Sequence, residues 1–235
     1  MNTLRRKINF NSVEYDITIN RDDASGEGCI TEIINRNEYC LDKFMNLKNK
    51  IILDIGANVG LATIILAKQN PESIIYSFEP FENCFNILLQ NIENNKLVNV
   101  VAIKKAVSNI STTKTFYSYD GMTGGNTLCS NLELFEKEFK KINYENIDVL
   151  GFNDFLQNYK IEEIELLKID CEGSEYDILY ENPFIKNIKN IVGEFHDFTI
   201  YKGIKGYNGK DLYEFVNKNI NGLKKITFLD LTKHY

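Results

Sequence analysis

A glycine-bearing turn is the first feature of the sequence that is suited to hold a ligand. A short apolar run at residues 51–54 leads at once into Gly56-Ala57-Asn58-Val59-Gly60 and then into a helical pattern. Such a strand-to-helix turn brings backbone amides to the carboxyl edge of a parallel sheet, where open α/β folds bind their ligands. Gly56 is expected to allow a tight turn and a close approach, and Gly60 to let the helix lie near the strand. Asn58 belongs to a residue type that tolerates a positive φ.

An acidic residue closes the second predicted strand. Glu79 lies 25 residues beyond Asp54 and is suited to accept hydrogen bonds from both hydroxyls of a ribose. Taken alone, Glu79 before Pro80 fits a simple strand terminus, and the glycine turn alone fits an ordinary connection between a strand and a helix. Together, the two features predict a nucleoside site.

The carboxylate of Asp54 bears on which nucleoside is bound. Nicotinamide folds use the pattern G-x-G-x-x-G, whose helix end faces a pyrophosphate, and a carboxylate at the strand tip would oppose that dianion. Here the glycines follow the pattern G-x-x-x-G, two positions after an acid. S-adenosylmethionine carries a sulfonium and an ammonium and no phosphate. We therefore expect S-adenosylmethionine as the cofactor, with Asp54 selecting its positive charge.

Further acidic residues gather at the ends of two later strands. Asp170 and Glu172 follow one predicted strand, and Glu194 and His196 lie at the end of the next, where alternation sends both to the same side. A lone histidine is often structural. An acidic residue at a helix start often serves only to stabilise the helix, and we interpret Glu175 in this way. The other four side chains are candidates for a shared cleft.

Three segments together resemble the FkbM family of methyltransferases. They are L-D-I-G-A-N-V-G at residues 53–60, F-E-P at 78–80 and L-K-I-D-C-E-G-S-E at 167–175, and the resemblance runs from about residue 50 to 196. It implies a class I Rossmann-like fold and O-methylation of hydroxyls on sugars or natural products. It also implies that Ala106 and Val107 lie beside the adenine. The expected cofactor site comprises Asp54, Gly56, Ala57, Asn58, Gly60, Glu79, Pro80, Ala106, Val107 and Asp170.

Methyl transfer to a hydroxyl needs an in-line approach opposite the departing sulfur and a base for the hydroxyl proton. The catalytic candidates for that base are His196, Asp170, Glu172 and Glu194. A variant hypothesis gathers Asp170, Glu172 and Glu194 around a magnesium ion that polarises the acceptor oxygens. Two other classes remain open, an NAD-dependent oxidoreductase and a catalytically silent protein that binds a nucleoside cofactor.

The elements that must position these residues alternate between strands and helices. Such a βαβαβ succession predicts a three-layer α/β sandwich with a mostly parallel central sheet. The predicted strands lie at residues 51–54, 73–79, 98–103, 166–170, 190–194 and 224–231. The predicted helices lie at residues 59–68, 81–94, 174–180 and 209–218.

Two segments fall outside this alternation. Residues 1–47 predict an extension ahead of a methyltransferase domain at 48–235, with a hairpin at 7–20 that turns at Asn11-Ser12 and a helix or a broken pair of helices at 29–47. Residues 108–146 predict an insertion with a helical piece near 132–140. Its loop around Met122 is suited either to cover the site or to stand as a plain exposed loop.

Composition limits the class of protein. The 235 residues, 43% of them hydrophobic, suit one domain with embellishments. A net charge of -6 opposes a nucleic-acid partner, and the resemblance to the FkbM family implies a small-molecule or glycan acceptor. Five widely spaced cysteines indicate reduced thiols. With neither an export signal nor a membrane-spanning run, we expect a cytoplasmic protein, and no motif indicates its oligomeric state.

Overall fold

A computed structural model describes residues 2–128, 142–197 and 208–230. Within them the strands are β1 (Thr3–Phe10), β2 (Val13–Asn20), β3 (Lys48–Ile55), β4 (Glu72–Phe78), β5 (Val100–Ile103), β6 (Ala106–Ser108), β7 (Thr112–Tyr119), β8 (Ile142–Gly151), β9 (Ile164–Ile169), β10 (Ile188–Asp197) and β11 (Lys224–Asp230). The α-helices are α1 (Ala24–Ile30), α2 (Leu61–Gln69), α3 (Glu82–Asn94), α4 (Phe152–Asn158), α5 (Glu175–Leu179) and α6 (Gly209–Asn219). Shorter helical turns lie at Thr31–Asn35, Leu41–Lys43, Thr123–Gly125 and Pro183–Asn187.

The central sheet has six strands in the order β11-β10-β9-β3-β4-β5, and each neighbouring pair is parallel. From β3 the chain moves outward to β4 and β5, and it later returns to the other side of β3 through β9, β10 and β11. The strand order therefore reverses between β3 and β9. Open α/β sheets form their ligand crevice at such a switch point, outside the carboxyl ends of the strands.

Alternation along the strands divides the apolar core into two layers. Leu53 and Leu167 face the layer of α4, α5 and α6, whereas Ile52 and Leu166 face α2, α3 and the hairpin of β1 and β2. Successive side chains of a strand point to opposite faces, so each central strand is buried on both sides. The predicted three-layer α/β sandwich with a parallel sheet is confirmed.

The N-terminal hairpin is confirmed, and its turn is the predicted one. Asn11 and Ser12 join β1 to β2, and both have a positive φ, which suits a two-residue hairpin turn. The first helix was predicted too late in the chain. It begins at Ala24 because the side chain of Asp23 accepts a hydrogen bond from the Ser25 amide and caps the helix.

The predicted insertion contains structure that its weak pattern did not indicate. Strands β7 and β8 pair antiparallel, and β6 pairs with β8 to complete a second, three-stranded sheet. Helix α4 follows β8 directly and was also not predicted. The helical piece predicted near residues 132–140 lies outside the described residues. Among the helices that the structure describes, none is both long and apolar enough to cross a membrane.

Candidate active site

A cavity of ≈ 400 Å³ lies at the carboxyl ends of the central strands, next to the switch point. This volume is within the range of small-molecule sites. All four predicted catalytic residues line it, namely Asp170, Glu172, Glu194 and His196. From the predicted cofactor set, the lining residues are Gly56, Ala57, Asn58, Glu79, Pro80, Ala106, Val107 and Asp170. Asp54 and Gly60 do not line the cavity.

Asp54 lies behind the cavity wall. Its side chain is fully buried, and its Oδ2 accepts a hydrogen bond of 2.6 Å from Thr63 Oγ1. Its Oδ1 lies 3.2 Å from Lys168 Nζ. Because this ammonium already balances the carboxylate, the expected direct attraction between Asp54 and a sulfonium is wrong.

The glycine turn has the backbone shape that the sequence predicts. Gly56, Asn58 and Gly60 all have a positive φ, at 76°, 52° and 85°. A Cβ on Gly56 would lie 1.8 Å from the carbonyl oxygen of Asp170, so a side chain does not fit between β3 and β9. Gly60 was expected to let the helix approach the strand, but its close neighbour is a residue of α3. A Cβ there would lie 2.3 Å from Leu88 Cδ1, so Gly60 lets α2 begin against α3.

Glu79 ties the end of β4 to the glycine turn. Its Oε2 accepts the amide of Asn58 and its Oε1 accepts the amide of Phe81, each at 2.8 Å. Burial raises the pKa of Glu79 to about 7, although both amides work in the opposite direction. Each carboxylate oxygen has a second lone pair, so the group can still accept hydrogen bonds from a ligand in the cavity.

His196 is surrounded by carboxylates, and we call this group the acid–histidine cluster: Asp170, Glu172, Glu175, Glu194 and His196. The Nδ1 atom of His196 lies 3.0 Å from Glu175 Oε1. Its Nε2 atom lies 3.4 Å from Glu172 Oε1, 3.7 Å from Glu194 Oε2 and 3.8 Å from Asp170 Oδ1. The ring is 1% exposed. The alternation that was expected to bring Glu194 and His196 to one side of β10 therefore does so.

The cluster shifts the acidity of its members in a way that favours proton exchange. Burial alone would lower the pKa of His196, but the carboxylates of Glu172 and Glu175 outweigh burial and raise it well above its ordinary value. Burial, reinforced by neighbouring carboxylates and opposed by His196, raises the pKa of both Glu172 and Glu194 to about 8. At neutral pH the imidazole is cationic, and the two glutamates, about one pH unit below their midpoint of ionisation, are mostly protonated.

Part of the same cluster has the spacing of a metal site. One donor atom each from Asp170, Glu172 and His196 lie within 4.8 Å of one another. The trio expected for magnesium had Glu194 in place of the histidine. A ligand set with an imidazole suits a transition metal better than magnesium, which prefers oxygen atoms.

Lys168 and Tyr39 belong to the site but were not predicted from the sequence. The hydroxyl of Tyr39 donates a hydrogen bond of 2.8 Å to Asp170 Oδ2, and Lys168 Nζ lies 5.4 Å from the centre of the Tyr39 ring. A lysine inside the apolar run of a central strand is a signal for a buried ion pair, because a buried lysine needs a partner. No local pattern predicts the contact of Tyr39, which comes from the N-terminal extension.

The outer side of the cavity is covered by α1 and by the helical turn Thr123–Gly125. The Thr123 amide donates to Asp23 Oδ2 at 3.2 Å, and the Gly124 amide donates to Ser25 Oγ at 2.7 Å. Met122 lines the cavity. The glycine-rich loop of the insertion thus lies over the site, and the first helix of the extension lies with it.

The fold is that of the Rossmann-like class I methyltransferases, which use S-adenosylmethionine. Residues 54–221 match the family model described as the methyltransferase FkbM domain, and the chain belongs to that family. This confirms the resemblance that three sequence segments indicated, together with the expected methyl donor. The family match also argues against an NAD-dependent oxidoreductase.

Two curated methyltransferases are similar in sequence to about two thirds of this chain. Methyltransferase sdnD from Sordaria araneosa is 26% identical over 182 residues, which are 67% of this chain and 70% of the relative. Methyltransferase 1 from Beauveria bassiana is 26% identical over 174 residues, or 68% and 70% of the two chains. Among solved structures, Methanocaldococcus jannaschii TYW2 in complex with AdoMet is 20% identical over 42% of each chain, with a TM-score of 0.29.

Proposed function

We propose that this methyltransferase transfers the methyl group of S-adenosylmethionine to a hydroxyl of a sugar, glycan or natural product. The observation that carries the proposal is the pair Glu172 and Glu194 beside His196 on the cavity wall, each glutamate with a pKa raised to about 8. A hydroxyl loses its proton as the new bond forms, and a base is most effective when its pKa is near the working pH. The choice of a sugar, glycan or natural product as the acceptor rests on the substrates that are generally assigned to the FkbM family.

Different residues of the cavity wall suit the adenine, the ribose and the methionine portion of the cofactor. Ala106 and Val107 offer an apolar surface for the adenine, and Glu79 keeps lone pairs for the ribose hydroxyls. The glycine turn and Asp170 then lie at the methionine portion. S-adenosylmethionine, when bound, supplies a methyl group that is activated by a positively charged sulfur.

Within the acid–histidine cluster we assign the base to a glutamate and a supporting role to the histidine. An imidazolium has no lone pair with which to accept a proton, so a cationic His196 is a poor base. Its positive charge instead lowers the pKa of Glu172 and Glu194 against the effect of burial, which keeps a fraction of each glutamate ionised near neutral pH. The ionised carboxylate accepts the hydroxyl proton while the acceptor oxygen approaches opposite the sulfur.

The test is methyl transfer by Glu172→Gln and Glu194→Gln, each of which keeps the size of the side chain and removes its basicity. Transfer of labelled methyl from S-adenosylmethionine to a panel of sugars and polyhydroxylated natural products is measured, and the methylated atom is located by NMR. At least one variant is expected to lose about 10²–10⁴-fold in turnover, the usual contribution of a general base. Binding of S-adenosylhomocysteine, measured by calorimetry, is expected to remain.

Native turnover in both variants would rule out a glutamate base, and a methyl group found on nitrogen or carbon would rule out O-methylation. Full binding of S-adenosylhomocysteine without transfer to any acceptor in the panel or in a cell extract would favour the catalytically silent alternative.

A further inference from the structure

Lys168 reaches three groups that belong to different parts of the site. Its Nζ donates a hydrogen bond of 2.6 Å to the Gly56 carbonyl, lies 3.2 Å from Asp54 Oδ1 and lies 4.0 Å from Asp170 Oδ2. The ammonium thus donates to the Gly56 carbonyl, while its charge faces the carboxylates of Asp54 and Asp170 as ion pairs. The side chain is 4% exposed, so these contacts are made away from water.

The charge of Lys168 is retained in this buried position. Two carboxylates face its Nζ, Asp54 at 3.2 Å and Asp170 at 4.0 Å, and supply the counter-charge. A buried charge is stable only with partners of good geometry. The short hydrogen bond to the Gly56 carbonyl joins this charge pair to the glycine turn.

The Gly56 carbonyl is the point where the two halves of the cavity meet. Gly56 has a positive φ, and its backbone is in contact with that of Asp170, whose amide donates to the Ile55 carbonyl at 3.1 Å. On one side of this point the turn leads to Asn58, whose amide donates to Glu79, the residue proposed to bind the ribose. On the other side Asp170 begins the acid–histidine cluster. A donor fixed at this carbonyl therefore sets the relative position of both halves.

We propose that Lys168 is a positioning residue, which holds the glycine turn in its ligand-binding shape and in register with Asp170. Asp54 holds the lysine in turn, and is itself held by Thr63, whose hydroxyl also contacts Ser77 Oγ at 2.6 Å. The acid that opens the glycine motif thus acts on the cofactor through a lysine from the neighbouring strand. This role concerns the cofactor side of the cavity and is independent of which acceptor is methylated.

The test compares Asp54→Asn with the double variant Asp54→Asn/Lys168→Met. Lys168→Met alone would leave the buried Asp54 without its counter-charge and is expected to disturb folding. The double variant removes both charges together, and the matched single variant keeps the lysine and an oxygen acceptor beside it. Affinity for S-adenosylhomocysteine is measured by calorimetry, at a temperature where thermal melts show that every variant is folded.

Asp54→Asn keeps the lysine with an oxygen acceptor beside it, and is expected to weaken binding of S-adenosylhomocysteine less than the double variant does. The double variant is expected to bind at least about tenfold more weakly than the single variant, as the loss of one charge-assisted hydrogen bond implies. Hydrogen exchange at the amides of residues 57–60 is expected to become faster in the double variant alone. Equal affinity and equal exchange in the two variants would show that Lys168 is a structural ion pair only and would overturn the proposal.

Discussion

Glu175 Oε1 lies 3.0 Å from His196 Nδ1, and the same carboxylate group accepts the amides of Cys171 and Gly173. One fully buried glutamate thus joins the turn after β9 to the end of β10. The helix-start role expected for Glu175 describes only part of what it does. It also fixes the ring orientation of His196, so that Nε2 faces the other carboxylates of the cluster.

Glu175→Gln is expected to lower the pKa of His196, since Glu175 is among the strongest influences that raise it. His196 and His234 are the two histidines of the chain, so an NMR titration has two imidazole signals to assign. In the native protein one imidazole is expected to titrate well above the ordinary 6.5. If both imidazoles titrate at ordinary values and neither pKa changes in the variant, the prediction that His196 is cationic is wrong.

The stability that His196 contributes follows from the same shift. Because its folded pKa is raised, the contribution is fully present below the unfolded value of 6.5 and is lost as the pH rises through the folded value. Urea unfolding of His196→Asn and of the native protein is expected to show the largest difference near pH 6 and a smaller one at high pH. A difference that grows with pH would contradict this.

Glu194→Gln is expected to stabilise the fold in alkaline solution. The folded pKa of Glu194, at about 8, is above its ordinary 4.5, so the folded state holds this proton more tightly and stability falls as the pH rises between the two values. Removal of the carboxylate is expected to add up to about 5 kcal/mol to the free energy of unfolding at pH 9, because each unit by which a pKa is raised corresponds to about 1.4 kcal/mol. Below pH 4 the native protein and the variant should be alike, because the carboxyl group is then protonated in both states.

Gly56→Ala is expected to abolish measurable binding of S-adenosylhomocysteine and to cost roughly 2–4 kcal/mol of stability. The new methyl group would overlap the Asp170 carbonyl at a backbone φ of 76°. Gly28→Ala is the matched control for stability, since its Cβ would lie 4.0 Å from the nearest atom, Glu32 Oε1, within α1. An alanine there is expected to stabilise the helix by about 0.5–1 kcal/mol. Equal effects of the two substitutions on stability would exclude a special backbone role for Gly56.

Exhaustive chelation with EDTA is expected to leave methyl transfer intact. The cationic His196 opposes a metal ion between Asp170 and Glu172, because a metal ligand must first give up its proton. Loss of transfer on chelation, with recovery on addition of Mg²⁺ or Mn²⁺, would instead support the metal hypothesis. Mn²⁺-induced broadening of the His196 NMR signal would then locate the ion.

Several features of the structure were predictable because they depend on a few neighbouring residues. A positive φ is tolerated by Asn58 and Gly56 as residue types, and the two-residue turn at Asn11-Ser12 follows from the same preference. The alternation in 166–170 and 190–196 likewise placed the acidic residues at one edge of a parallel sheet. The strands β7 and β8 were not predictable in this way, since much of their surface is exposed and their apolar alternation is weak.

By itself the sequence determined the fold class, the glycine turn and which carboxylates meet at the switch point, because periodicity and residue type act over short stretches of chain. Only the tertiary structure decided what each charge faces. Asp54 has the right type and position for a sulfonium partner, yet Lys168, which follows it by more than a hundred residues, neutralises it. The energy of a charge depends on burial and on partners within a few ångströms, and in this chain those partners come from distant segments.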